Sequence, residues 1–181
     1  ILNITPQDWS VLYDRFAEIT EDINMSREIA LRELLPLVQV AEALAQKYDV
    51  IVTNPPYLGS SRFDAALDKY VKIYFQDVKA DLSMVMFKKM LSYQLKKNGF
   101  IAFITTSSWM FLSSFEKIRT TMFENASIDS LVDFGTELFE GKVGHNPIVA
   151  WVNRKNNLDK KLTAIRLVDY CYSQSYRLQS A

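Results

Sequence analysis

A β-branched run that ends on two consecutive prolines constrains this chain more than any other feature. Asp49-Val50-Ile51-Val52-Thr53 favours extended backbone, because side chains branched at Cβ fit a pleated surface better than a helix. Asn54-Pro55-Pro56-Tyr57 then stops it. Neither proline has an N–H to give to a ladder, and each pushes the residue before it out of helical backbone. A short and nearly all-apolar strand reads as a buried parallel strand.

The flanking segments fit such a sheet. Residues 7–22 and 26–47 read as helices. The second carries Ile29, Leu31, Leu34, Leu35, Leu37, Val38, Val40, Ala41, Leu44 and Ala45, and Pro36 should kink or divide it. Residues 58–63 form a polar loop. Asp64 can cap a helix over about 65–76, and Asp81 a longer one over about 82–97. In the latter, Lys96 and Lys97 suit the last turn and Gly99 a left-handed cap. Residues 100–105 are the next buried strand. Ser113 or Ser114 can cap a helix to about 124, with Phe115, Ile118 and Met122 on one face. Strands follow over 128–134, 147–152 and 161–168. Strands alternating with helices predict an α/β class with a mostly parallel sheet.

Composition bounds the function. With 49% hydrophobic and 13% aromatic residues, 181 residues can bury a core and should fold. A formal net charge of zero argues against indiscriminate phosphate binding, though a local basic face remains compatible with it. A single cysteine, Cys171, forms no internal disulfide, and no signal-peptide pattern is visible, which fits a reducing cytoplasmic compartment. No apolar run approaches a membrane span, so no membrane partner is expected. One histidine, His145, and one cysteine exclude a zinc cluster, so no metal is expected.

In open α/β sheets, ligands sit outside the carboxyl ends of the strands. Asn54-Pro55-Pro56-Tyr57 lies there, and the residue types suit one kind of chemistry. An amino group on an aromatic base is a poor nucleophile, because its lone pair is delocalised into the ring. Two acceptors on its hydrogens draw it toward a tetrahedral, more reactive form. The Asn54 side-chain oxygen and the Pro55 carbonyl can supply them. The prolines remove competing donors and keep the acceptors aimed. Tyr57 offers a flat face to an extruded base. Such a string arises by chance with odds on the order of one in a thousand in a chain this long.

Asn54-Pro55-Pro56-Tyr57 resembles the catalytic motif of amino-methyltransferases acting on DNA, and the likeness runs from about residue 48 to 154. Asp81-Leu82 with Phe87, Leu95-Lys96-Lys97-Asn98-Gly99 and the strand over 100–105 resemble the gamma class of DNA adenine-N6 methyltransferases. So do Ser108-Trp109-Met110-Phe111-Leu112 with Phe115 and Arg119, and Leu138-Phe139 followed by Val149-Ala150-Trp151-Val152. Leu58-Gly59-Ser60 after the motif, and the stretch from Ser107 to Glu116, resemble more narrowly the type IIG restriction–modification and BREX phage-defence (PglX) group.

The resemblance implies the C-terminal part of a Rossmann-like methyltransferase sheet, mostly parallel with a hairpin strand and with helices on both faces. It divides the chain into a helical lead-in (1–47), a catalytic half (48–170) and the start of a linker or recognition region (171–181). It implies transfer of a methyl group from S-adenosylmethionine to adenine N6 in DNA. Restriction or defence subunits are possible further partners. Asn54, Pro55, Pro56 and Tyr57 would be catalytic, Tyr57 and Phe139 would stack on the flipped base, and Asn54 and Phe87 would face the cofactor. At helical spacing Phe87 reads equally well as core. Arg62 and His145 are weaker candidates for DNA contact, with solvated-loop readings beside them. Lys88, Lys89, Lys96 and Lys97 read as a solvated helix face. Tyr170, Tyr172 and Tyr176 could stack bases or cover the last strand's edge.

The sequence departs from the family in one respect. The glycine-rich loop and the acidic residue that hold S-adenosylmethionine are absent, and no glycine precedes Tyr48. A fragment of a longer protein is therefore expected, inactive on its own. Two other functions stay open: methylation of an RNA base or a protein glutamine amide by the same motif, and a non-enzymatic DNA- or partner-binding scaffold.

Overall fold

The computed structural model describes residues 6–20, 25–136, 138–139, 147–155 and 161–168. The chain divides into two compact units between Lys47 and Tyr48. The first is a helix pair, α1 (Pro6–Thr20) and α2 (Met25–Ala45). Tyr13 donates its hydroxyl proton to Glu42 at 2.6 Å, joining the two helices. That bond to a carboxylate, with some desolvation, raises the phenol pKa. Pro36 does not divide the second helix, and α2 runs through it. Pro36 is exposed, so water can satisfy the carbonyl its missing N–H leaves free.

The second unit is a five-stranded sheet in the order β1-β2-β4-β3-β5. Its strands are β1 (Tyr48–Thr53), β2 (Leu95–Thr106), β3 (Ala126–Gly135), β4 (Ile148–Lys155) and β5 (Thr163–Arg166). β1 pairs parallel with β2 and β3 with β5, while β4 runs antiparallel to both β2 and β3. Four strands thus point one way, and β4 is the hairpin return of β3.

Helices α3 (Ala65–Tyr74), α4 (Leu82–Lys89), α5 (Ser108–Phe111) and α6 (Glu116–Asn125) connect the strands. All contribute to one core with Ile101, Phe103, Ile128, Leu131, Val149 and Trp151. In the strand register those residues share one face. The opposite face carries Val52, Ala102, Ile104, Val132, Ala150 and Val152 along a shallow open groove. Residues 48–168 therefore supply helices to one face, and the second helical layer is not formed by their described part. β1 is correspondingly not buried. It is an edge strand, with Val50 58% and Val52 75% exposed.

Two local expectations are met and three are corrected. Asp64 accepts from Leu67 N at 2.7 Å and Asp81 from Ser83 N at 2.8 Å, so both cap as expected. α4, however, ends at Lys89. A π-helical turn over Met90–Gln94 follows, and Leu95 opens β2. Lys96 and Lys97 thus lie in the strand segment, where Lys96 meets Asp49 at 2.8 Å. Asn98, not Gly99, holds the positive φ, of 64°. Gly99 is needed for space, since a Cβ there would meet Asp49 O at 2.8 Å and Leu95 Cδ1 at 2.9 Å. Neither Ser113 nor Ser114 caps α6. Ser113–Phe115 is a 3-10 turn that buries Phe115 and hands over to the helix directly.

Candidate active site

The reaction end of the sheet follows from its topology. The carboxyl ends of β1, β2, β3 and β5 lie along one edge, and Ile148 at the start of β4 pairs there with Thr106 and Gly135. Ser107 N donates to Pro147 O at 2.8 Å, binding the end of β2 to the entry of β4.

Asn54-Pro55-Pro56-Tyr57 leaves β1 at this edge. Asn54 and Pro56 are exposed, Pro55 is buried and Tyr57 is half-buried. The corner is fastened by backbone bonds on its far side. Leu58 N donates to Pro56 O at 3.1 Å, Ser60 N to Ala80 O at 2.9 Å and Leu82 N to Leu58 O at 2.9 Å. Gly59 and Asp81 form an antiparallel bridge. The strand-to-loop corner is thus stapled to the entry of α4, and Asp81 serves both the cap and the staple. Burial pushes the Asp81 carboxyl above its ordinary value, against the lowering effect of its hydrogen bonds from Ser83 and Met84. The Asp81 cap was legible in the sequence. The staple was not, because nothing local ties Gly59 to a residue so far along the chain.

Tyr57 donates its hydroxyl proton to Asn54 Oδ1 at 2.6 Å. Partial burial raises the Tyr57 pKa, further from neutral pH, where a phenol already holds its proton. The corner therefore presents, side by side, an exposed carboxamide and an aromatic ring. Both are held by rigid backbone with few donors of its own.

The other expected site residues separate. Phe87 does not reach the edge. It is fully buried, packing against Phe103 at 5.3 Å and Trp151 at 5.5 Å between ring centroids, and has no surface to offer a cofactor. Its place is core, where Trp109 also packs, tilted against Trp151 at 4.7 Å between ring centroids. Phe139 is half-buried, four residues beyond the end of β3 on the same edge as Asn54. Two strands lie between β1 and β3, so their ends are about 14 Å apart. Arg62 is exposed at the end of the 3-10 turn Ser60–Arg62. Lys88 is half-buried and pairs with Asp77. The Ser108-Trp109 stretch is held by Arg119, which donates to Trp109 O at 2.8 Å and Leu112 O at 2.7 Å. Thr106 and Ser108 pair their hydroxyls at 2.8 Å there, a contact not anticipated. His145, Cys171, Tyr170, Tyr172 and Tyr176 lie outside the described residues.

The fit to S-adenosylmethionine is incomplete. On the β1 side, Val50 and Val52 expose aliphatic surface, and Phe87 is sealed in the core. No donor set for a sulfonium nucleoside is assembled by the described residues, and Asn54 is the one expected cofactor contact left exposed. Among the described residues no cluster of three or more His, Cys, Asp or Glu side chains is placed to hold a metal. None of the described helices is long and apolar enough to cross a membrane.

Known proteins are similar to this chain in sequence and in fold. The adenine-specific methyltransferase BrxX of Escherichia coli O9:H4 (strain HS) is 35% identical over 159 residues, which is 86% of this chain and 13% of that protein. The adenine-specific methyltransferase PglX of Lacticaseibacillus casei (strain Zhang) is 39% identical over 141 residues, 76% of this chain and 12% of its own. The chain thus spans about an eighth of the relatives it matches. A candidate class I S-adenosylmethionine-dependent methyltransferase from Listeria monocytogenes has the same fold, with a TM-score of 0.53 at 14% identity. That match covers 75% of this chain and 42% of the other. The family model for the Eco57I restriction-modification methylase matches residues 4–139, the stretch that holds both the corner and its staple, and the chain belongs to that family.

Proposed function

We propose that the protein containing this chain transfers a methyl group from S-adenosylmethionine to the N6 amino group of adenine in DNA. Residues 54–57 would hold the target. The observation that carries this is the exposed Asn54 carboxamide at the carboxyl edge of β1, beside the Tyr57 ring, on a corner stapled from behind. The family and the adenine specificity of BrxX and PglX support the same substrate.

On this reading, Asn54 Oδ1 and the Pro55 carbonyl accept the two amino hydrogens and draw the nitrogen toward a tetrahedral shape. No strong base is needed to begin. The gain comes from fixed acceptors and from orientation. Tyr57 stacks on the extruded base. Phe139 is the second aromatic against it, reaching across from the end of β3. Arg62 contacts a phosphate. The cofactor supplies the methyl group, and the residues that grip it belong to other parts of the protein. Restriction or defence subunits are further partners, and the protein works in the cytoplasm.

The test is methyl transfer by the full-length protein. Asn54→Ala should lower the rate on DNA by about 100- to 1000-fold, the usual loss for one aimed polar group. DNA affinity should change little. Wild-type turnover in that variant would end the proposal. Label appearing in RNA or protein but not in DNA would move it to another amino substrate.

A further inference from the structure

The oxygen that the reaction needs is already engaged. Tyr57 Oη donates to Asn54 Oδ1 at 2.6 Å. This bond is not what holds the corner, since Leu58, Ser60 and Leu82 fasten it through the backbone. Nor is it sealed in the core: Asn54 is exposed and Tyr57 only half-buried. A hydrogen bond between an exposed amide and a phenol, at the one side-chain acceptor assigned to the substrate, calls for an account beyond folding.

We propose that the Tyr57 hydroxyl is a stand-in for the substrate's amino hydrogen, a latch that closes on Asn54 in the empty site and opens when the base enters. This rests on the reading of residues 54–57 as the amino-holding corner and adds a step of entry to it. The phenol is protonated at neutral pH at its ordinary value, and partial burial moves it further up, so the hydroxyl remains a donor. A carboxamide oxygen can accept two hydrogen bonds. An acceptor shared between two donors pulls less on each, however, whereas a sluggish aromatic amine needs the full pull of Oδ1. The hydroxyl must therefore be exchanged for the N–H, not kept beside it. The ring is unaffected by the exchange and is free to stack.

The latch makes base entry less favourable than the corner alone would allow. Tyr57→Phe keeps the ring and removes the latch. The measurement is binding of the full-length protein, with S-adenosylhomocysteine present, to two duplexes that differ only at the target. One carries adenine and the other an abasic site, which leaves the latch closed. The ratio Kd(abasic)/Kd(adenine) isolates entry of the base. Tyr57→Phe should raise this ratio about 2- to 10-fold, the equivalent of one neutral hydrogen bond no longer exchanged. In an Asn54→Ala background the same substitution should leave the ratio unmoved.

An unchanged ratio in the single variant would overturn the latch. So would a lowered ratio with slower methyl transfer, which would mean that the hydroxyl stays on Asn54 and positions its carboxamide. The two readings fail separately. If Asn54→Ala abolishes transfer but Tyr57→Phe does not raise the ratio, only the latch falls. If Asn54→Ala transfers normally, the amino-holding corner falls and the latch with it.

Discussion

The corner at residues 54–57 and the aromatic cluster below it are both rich in flat, rigid side chains, yet they are held by opposite means. The cluster of Phe87, Phe103, Trp109 and Trp151 is ring on ring and buried, with each member at 2% exposure or less. The corner exposes Asn54 and Pro56 and is kept in shape by main-chain bonds from Leu58, Ser60 and Leu82. Where packing holds a residue, its side chain is the structure. Where the backbone holds it, the side chain is free for chemistry. Truncation should therefore damage stability in one region and turnover in the other.

The largest effect should come from the cluster. Phe87→Ala removes a fully buried ring and should cost about 3–5 kcal/mol, read as a fall in the urea midpoint. Asn54→Ala should move the same midpoint by no more than about 0.5 kcal/mol. A stability loss at Asn54 equal to that at Phe87 would erase the distinction. Next comes the contact between β1 and the first part of β2. Gly99→Ala drives a Cβ to within 3 Å of the Asp49 carbonyl and the Leu95 side chain, and should cost about 1–3 kcal/mol.

Asp81 belongs to both the staple and the α4 cap, and its effect should be smaller than that of Gly99. Asp81→Ala removes a cap worth about 1 kcal/mol. Its raised pKa also sets a pH signature. The folded protein holds the Asp81 proton more tightly than the unfolded chain. That contribution is complete below the ordinary aspartate value and is lost as pH rises through the raised one. Acidifying into that window should stabilise the parent protein relative to Asp81→Asn. A difference in urea midpoint that stays flat across the window would refute the assignment.

What could be read in advance follows the range of the interactions. The Asp64 and Asp81 caps and the strand before the prolines depend on neighbours within a few residues, and all three form. The end of α4 depends on a distant partner. Leu95 pairs with Tyr48 and Gly99 closes on Asp49, so the chain leaves the helix well before Lys97. Helical spacing marks Phe87 as inward-facing without saying what lies inside. The motif itself was legible because its prolines act locally, but the partner of its tyrosine hydroxyl was not. The missed capping by Ser113 and Ser114 has the same cause. Burial of Phe115 and the grip of Arg119 on the Trp109 and Leu112 carbonyls set that turn.

The reversed direction of β4 gathers the connection between β3 and β4 onto the same rim as the ends of β1 and β2. A segment spliced between β3 and β4 need not disturb the pairing of a strand, because that connection leaves and re-enters the sheet at one side. Added length at that one connection would leave the corner after β1 and its backbone staple as they are.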